Sequence, residues 1–237
     1  MLIGTHITHT SFKEMINFAE FAEDLGFDIL IVGAPYFAAR KDEHVEQFLK
    51  IIAESTNMAI MFYNSPQFGI VLGAESLNRI CQIPGVIGVK EASFDRNISI
   101  KSHQLIGEKS IISTPDEWIL FEGARLGFCQ QVMFANTSDW RFGKPGNNYY
   151  VEFINEATKG KINEERYNLE IKPVKLLSDE WWMKTVKQSG GVIPVSLCKY
   201  WGELLGMAGG HVRAPVDNFS SSDRSALKED LVKMGVC

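Results

Sequence analysis

The chain has 237 residues, enough for one large α/β domain with a sizeable core. Hydrophobic residues make up 45% and charged residues 22%, the balance of an ordinary globular protein. A net charge of −5 without a basic run argues against a nucleic-acid partner, and no apolar run reaches the roughly 18 residues of a transmembrane helix.

The start, Met1-Leu2-Ile3-Gly4, lacks the charged and apolar regions of a signal peptide. Cys81, Cys129, Cys198 and Cys237 are scattered, with no CxxC pair. Reduced thiols in a cytoplasmic protein are expected, rather than a disulfide framework or a zinc site.

Leu2 to His6 reads as a short strand. Ser11-Phe12-Lys13-Glu14 is a capping box, and Gly26 suits the end of the helix it starts. Phe12, Met15, Ile16, Ala19 and Ala22 give that helix an apolar face. Asp28 to Ala34 is a continuous apolar run, as in a strand buried on both faces, and a second helix follows over 42–55.

Met58 to Ser93 carries the most chemistry. One apolar run ends in Tyr63-Asn64-Ser65-Pro66, a second ends in Lys90-Glu91, and Glu75 to Cys81 between them reads as a helix. One helical crossover makes neighbouring parallel strands. Side chains alternate along a strand, so Met61 and Tyr63 share a face, as do Gly88 and Lys90. A phenol and an amine then stand together at the carboxyl ends of two strands, where α/β folds bind ligands. A lysine at a strand end ordinarily marks only where the strand meets water. Beside a tyrosine it suits imine chemistry: a desolvated amine attacks a ketone, and a phenol moves the protons.

Beyond Lys90 the pattern predicts a helix over 99–106, a strand over 110–113, a helix over 118–126 and a sixth strand over 130–135. From Tyr149 onward only helices are predicted, over 149–158, 163–177, 180–188, 194–205 and 222–234. The expected division is a barrel portion over 1–160 and a helical region over 161–237. His6 and His9 form His-x-x-His, but no convergent cysteine or acidic set accompanies them, so no metal is expected. Trp140, Trp181, Trp182 and Trp201 suit a core or a subunit interface better than a ligand cage.

The strand ending Tyr63-Asn64-x-Pro66, followed by Ile83-Pro84-Gly85-Val86-Ile87-Gly88-Val89-Lys90-Glu91-Ala92-Ser93, resembles the dihydrodipicolinate synthase / N-acetylneuraminate lyase family. The resemblance runs through nearly the whole chain. It implies a TIM (β/α)8 barrel with a C-terminal helical region, and a class I aldolase without a cofactor. It implies Lys90 as the Schiff-base lysine and Tyr63 as the proton-relay phenol. Pyruvate and an aldehyde are the implied small-molecule partners, and a homo-oligomer, dimer or tetramer, is expected. Gly209 to Pro215 resembles the family's closing Gly-x-Val-Arg-x-Pro turn and reads as structural.

Several departures shape the expectation. Aligned to the family, residue 1 falls where the third barrel strand begins, so the first two β/α units, with the loop that holds the keto acid's carboxylate, have no counterpart here. A truncated reading frame or a fragment is expected, with two open parallel edges. Phe37 replaces the second relay tyrosine of the synthase branch. Gln67-Phe68-Gly69 replaces a loop that carries an arginine, which argues against aspartate semialdehyde as substrate. Asp116-Glu117 match a pair that binds substrate hydroxyls in the lyase branch, pointing to a hydroxylated 2-keto acid. Asp116 serves equally as a helix cap. Asn136 could line the site or brace a turn. A hydratase or dehydratase using the same imine, a catalytically silent member of the fold and a metal-dependent aldolase stay open as alternatives.

Overall fold

The computed structural model describes residues 2–36, 38–133, 139–143, 146–161 and 163–237. The chain forms two compact units, one of residues 1–134 with 158–160 and the other of residues 135–157 with 161–237.

In the first unit five strands lie in one parallel sheet in chain order: β1 (Gly4–His6), β2 (Ile29–Gly33), β3 (Ala59–Asn64), β4 (Val86–Glu91) and β5 (Ile111–Ser113). Helices α1 (Phe12–Asp24), α2 (Asp42–Glu54), α3 (Ala74–Ile80) and α4 (Arg96–Ile106) are the crossovers. Ser11 Oγ accepts from Glu14 N, one half of the predicted capping box, while Ser11 N donates to His9 Nδ1 rather than to the Glu14 side chain, and Gly26 turns the chain out of α1 at φ 77°. α4 begins earlier than predicted because Asp95 Oδ1 accepts from Asn97 N at 2.8 Å.

Alternation divides the sheet's side chains between two faces. Leu30, Val32, Ile60, Phe62, Val86, Val89 and Ile112 join Met15, Ala19, Leu49, Ile52 and Leu77 in the core. Ile31, Met61, Gly88 and Ile111 form one row of the other face, and Gly33, Tyr63, Lys90 and Ser113 form the next. Gly88 is required: a Cβ there would lie 2.1 Å from the Ile111 carbonyl oxygen. A β-bulge lies between β3 and β4. Ile60 pairs with Val86, the next pair is Met61 with Gly88, and Ile87 is the extra residue.

The predicted sixth strand differs. Residues 130–133 carry no strand, and residues 134 and 135 lie outside the described residues. The Gln130 side chain takes up the backbone groups that a ladder would use: Thr114 N donates to its Oε1 at 3.2 Å, and its Nε2 donates to the Thr114 carbonyl at 3.1 Å. The predicted helix over 118–126 is also shorter, α5 (Glu117–Glu122), and turns follow it.

The second unit is helical: α6 (Asp139–Phe142), α7 (Tyr149–Ala157), α8 (Glu164–Arg166), α9 (Lys172–Gln188), α10 (Val195–Leu204) and α11 (Ser221–Lys233). Trp181 and Trp201 are buried, and Trp140 meets Trp201 edge-on at 5.2 Å. The two helices predicted over 163–177 and 180–188 are one helix, with a π turn over Tyr167–Ile171. Pro173 has no N–H for the Leu169 carbonyl. Just before it, Lys172 N donates to the Tyr167 carbonyl five residues back, the spacing of a π turn. Ser178 lies within that helix, its hydroxyl donating back to the Lys175 carbonyl at 2.8 Å.

Candidate active site

The sheet brings the predicted pair together. Tyr63 on β3 is in register with Lys90 on β4, and Lys90 Nζ lies 4.2 Å from the Tyr63 ring centroid. Burial lowers the Lys90 pKa from 10.5 to about 8. A protonated amine over an aromatic face gains a cation–π attraction, so desolvation here outweighs a contact that favours the charged form. Ser113 lies opposite Lys90 on β5 and is fully buried. It escaped the sequence reading, although counting one more strand across the same face reaches it.

Two aromatic rings complete this face. Ser65 and Pro66 start a short 3₁₀ turn, Pro66–Phe68, and Gly69 ends it at φ 74°. That turn sets the Phe68 ring against Gly33, where a Cβ would lie 2.6 Å from the ring. Phe68 meets Tyr63 at 5.2 Å and stacks on His6 at 6.0 Å, while His6 stands edge-on to Tyr63 at 6.2 Å. His6 therefore belongs with Tyr63 rather than with His9. Gly33 N donates to Thr8 Oγ1 at 2.7 Å, and the same hydroxyl is hydrogen-bonded to His6 Nε2 at 3.2 Å. Burial lowers the His6 pKa, and the charge of Lys90 lowers it further. Among the described residues, no group of three His, Cys, Asp or Glu side chains is placed to hold a metal ion.

Asp116 and Glu117 follow β5 at the start of α5. Asp116 caps that helix, accepting from Trp118 N at 3.0 Å, and its other oxygen accepts from Arg96 Nε at 2.8 Å. The Arg96 guanidinium lies over Trp118. Glu117 is buried. Phe37 and Asn136 lie outside the described residues.

The model of the dihydrodipicolinate synthetase family matches residues 3–234. The chain is 26% identical to the probable 5-dehydro-4-deoxyglucarate dehydratase 2 of Streptomyces coelicolor, over 93% of this chain and 64% of that protein. It is 26% identical to the 4-hydroxy-tetrahydrodipicolinate synthase of a Sulfurihydrogenibium species, over 97% of this chain and 72% of that protein. The chain thus spans less than two thirds of the Streptomyces relative. Among solved structures, the dihydrodipicolinate synthase of Acinetobacter baumannii complexed with pyruvate aligns with a TM-score of 0.75 at 22% identity, over 100% of this chain and 76% of that one. This likeness shows the fold, an α/β chain with the strand and helix layout of a TIM barrel. With the match covering nearly all of its length, the chain is a member of the dihydrodipicolinate synthetase family, a family of lyases.

Proposed function

We propose that this chain is a Schiff-base lyase acting on a hydroxylated 2-keto acid, with Lys90 as the imine-forming residue and Tyr63 as the proton carrier. The register that sets the Lys90 amine over the Tyr63 ring carries the reading. Neutral Lys90 attacks the keto carbon, and the carbinolamine loses water to give an iminium ion. When the substrate's C4 hydroxyl loses its proton, the C3–C4 bond breaks and its electron pair moves into the iminium. An aldehyde leaves. Protonation of the enamine at C3, with Tyr63 as the local acid, and hydrolysis then release pyruvate and free the lysine. The pyruvate bound by the Acinetobacter protein supports this choice of keto acid.

The name of the Streptomyces relative favours a second reading, dehydration through the same iminium. There the C3 proton is removed and a hydroxyl on the next carbon leaves as water. Product analysis separates the two: pyruvate and an aldehyde appear in one case, and a keto acid lighter by one water in the other.

Aspartate semialdehyde is not the expected partner. Gln67 and Phe68 follow Pro66 where a cation would be needed, and the Phe68 ring is committed to Gly33, His6 and Tyr63.

We place the substrate's hydroxyls toward Asp116. Asparagine caps helices about as well as aspartate, so Asp116→Asn should keep α5 while removing the charge. A hydrogen bond to a charged group is worth about 1.5–3 kcal/mol, so turnover of a polyhydroxylated 2-keto acid should fall roughly 10- to 150-fold. Unchanged kcat/KM in Asp116→Asn would confine Asp116 to capping and pairing with Arg96. Product formation that survives Lys90→Ala would refute the Schiff-base reading itself.

A further inference from the structure

We infer that Glu91 is the positioning residue of this site: with Asn64 it fixes the ends of β3 and β4 so that Tyr63 and Lys90 stay side by side. The inference rests on the reading of Lys90 as the imine-forming residue.

Asn64 pairs with Glu91 one residue beyond the Tyr63–Lys90 pair. Alternation places these two pairs on opposite faces of the sheet, so Glu91 does not share the face of the reacting amine. Both Asn64 and Glu91 are fully buried. Glu91 Oε1 accepts from Asn64 Nδ2 at 3.3 Å and from Ser93 N at 2.9 Å. Its Oε2 accepts from Ser99 Oγ. Asn64 also closes a loop onto Leu72, donating to its carbonyl at 3.0 Å and accepting from its N–H at 2.9 Å. One carboxylate thus joins the ends of two strands, the loop after β4 and the first turn of α4. Through Asn64 it also reaches the segment that leads into α3.

Burying a carboxylate is costly, and apolar side chains would hold two strands together at lower cost. Burial raises the Glu91 pKa, and the donors Ser93, Ser99 and Asn64 oppose that rise. Apolar packing lacks direction. Hydrogen bonds from several segments fix where the strand ends sit, and an amine that must meet a carbonyl carbon needs that accuracy. A misplacement of about 1 Å costs on the order of 100-fold in rate.

The test measures how fast borohydride traps pyruvate on Lys90 in the 237-residue chain, with labelling of exposed Lys101 as the internal control. Glu91→Leu fills the space without the hydrogen bonds, and trapping at Lys90 should slow about 100-fold with Lys101 unaffected. Glu91→Gln keeps the shape, and the Ser99 hydroxyl can rotate to accept from it, so the rate should return to within about threefold of wild type. Should Glu91→Leu fail to fold, Ser99→Ala provides the second test. It leaves Oε2 without its donor, and trapping should slow roughly fivefold or more. A folded Glu91→Leu or a Ser99→Ala protein that traps at the wild-type rate overturns the positioning role. Wild-type protein with no adduct at Lys90 overturns the reading beneath it.

Discussion

Borohydride added with pyruvate is expected to leave a reduced adduct on the peptide containing Lys90, and Lys90→Ala should abolish it. Only the neutral amine attacks the carbonyl, so trapping should speed up as pH rises and level off above the Lys90 pKa. Burial sets that pKa at about 8 rather than 10.5. At pH 7 such a lysine is about 10% neutral, against about 0.03% for an ordinary one, a roughly 300-fold advantage. Selectivity over the exposed lysines should therefore be greatest near neutrality and shrink at high pH. Tyr63→Phe keeps the ring beneath the amine but removes the phenolic proton. Loss of a general acid–base group typically costs 100- to 10,000-fold, so the adduct should form much more slowly on an intact fold. Adduct spread evenly over several lysines would remove Lys90 from the mechanism.

The 237-residue chain on its own is expected to self-associate through the β1 side of the sheet. Among the described residues, β1 pairs only with β2, which leaves a parallel edge. Leu2 is 74% exposed beside that edge. Phe18 and Phe21 on α1 and Leu25 at its C-cap, spaced by three and four, stand out, with Phe21 62% and Leu25 60% exposed. An unpaired strand edge beside an apolar helix stripe is a template for association. Burying a phenylalanine or leucine fully yields about 1.5–3 kcal/mol, so three of them form a substantial sticky surface. Sedimentation should show concentration-dependent species above 26.6 kDa, and a hydrophobic dye should bind. Phe21→Lys with Leu25→Glu should weaken association at least tenfold. A monodisperse, dye-silent monomer at high concentration would count against this surface.

The pairing of Tyr63 with Lys90 was legible in the sequence because it follows from alternation and one crossover. The Ser11 cap of α1 was legible because its partner, Glu14 N, lies three residues away. The features that escaped depend on residues far apart in the chain. Nothing near Gln130 announces that its amide will occupy the backbone of Thr114. Nothing near Gly33 announces the ring of Phe68. Asp116 could be read as a cap or as a substrate ligand. Its second partner, Arg96, lies 20 residues away and is visible only once α4 and α5 are placed.

The bulge at Ile87 makes the site sensitive to the length of the coding sequence. Were Ile87 taken into the ladder opposite Met61 instead of bulging out, Tyr63 would face Val89 and Lys90 would face Asn64. The amine would then turn into the helix-packed layer and leave the phenol behind. Deleting the codon for Ile87 would leave Tyr63 opposite Lys90, whereas one codon inserted between Gly88 and Val89 removes no side chain of the pair and yet, with the ladder continued from Met61 and Gly88, sets Lys90 opposite Asn64.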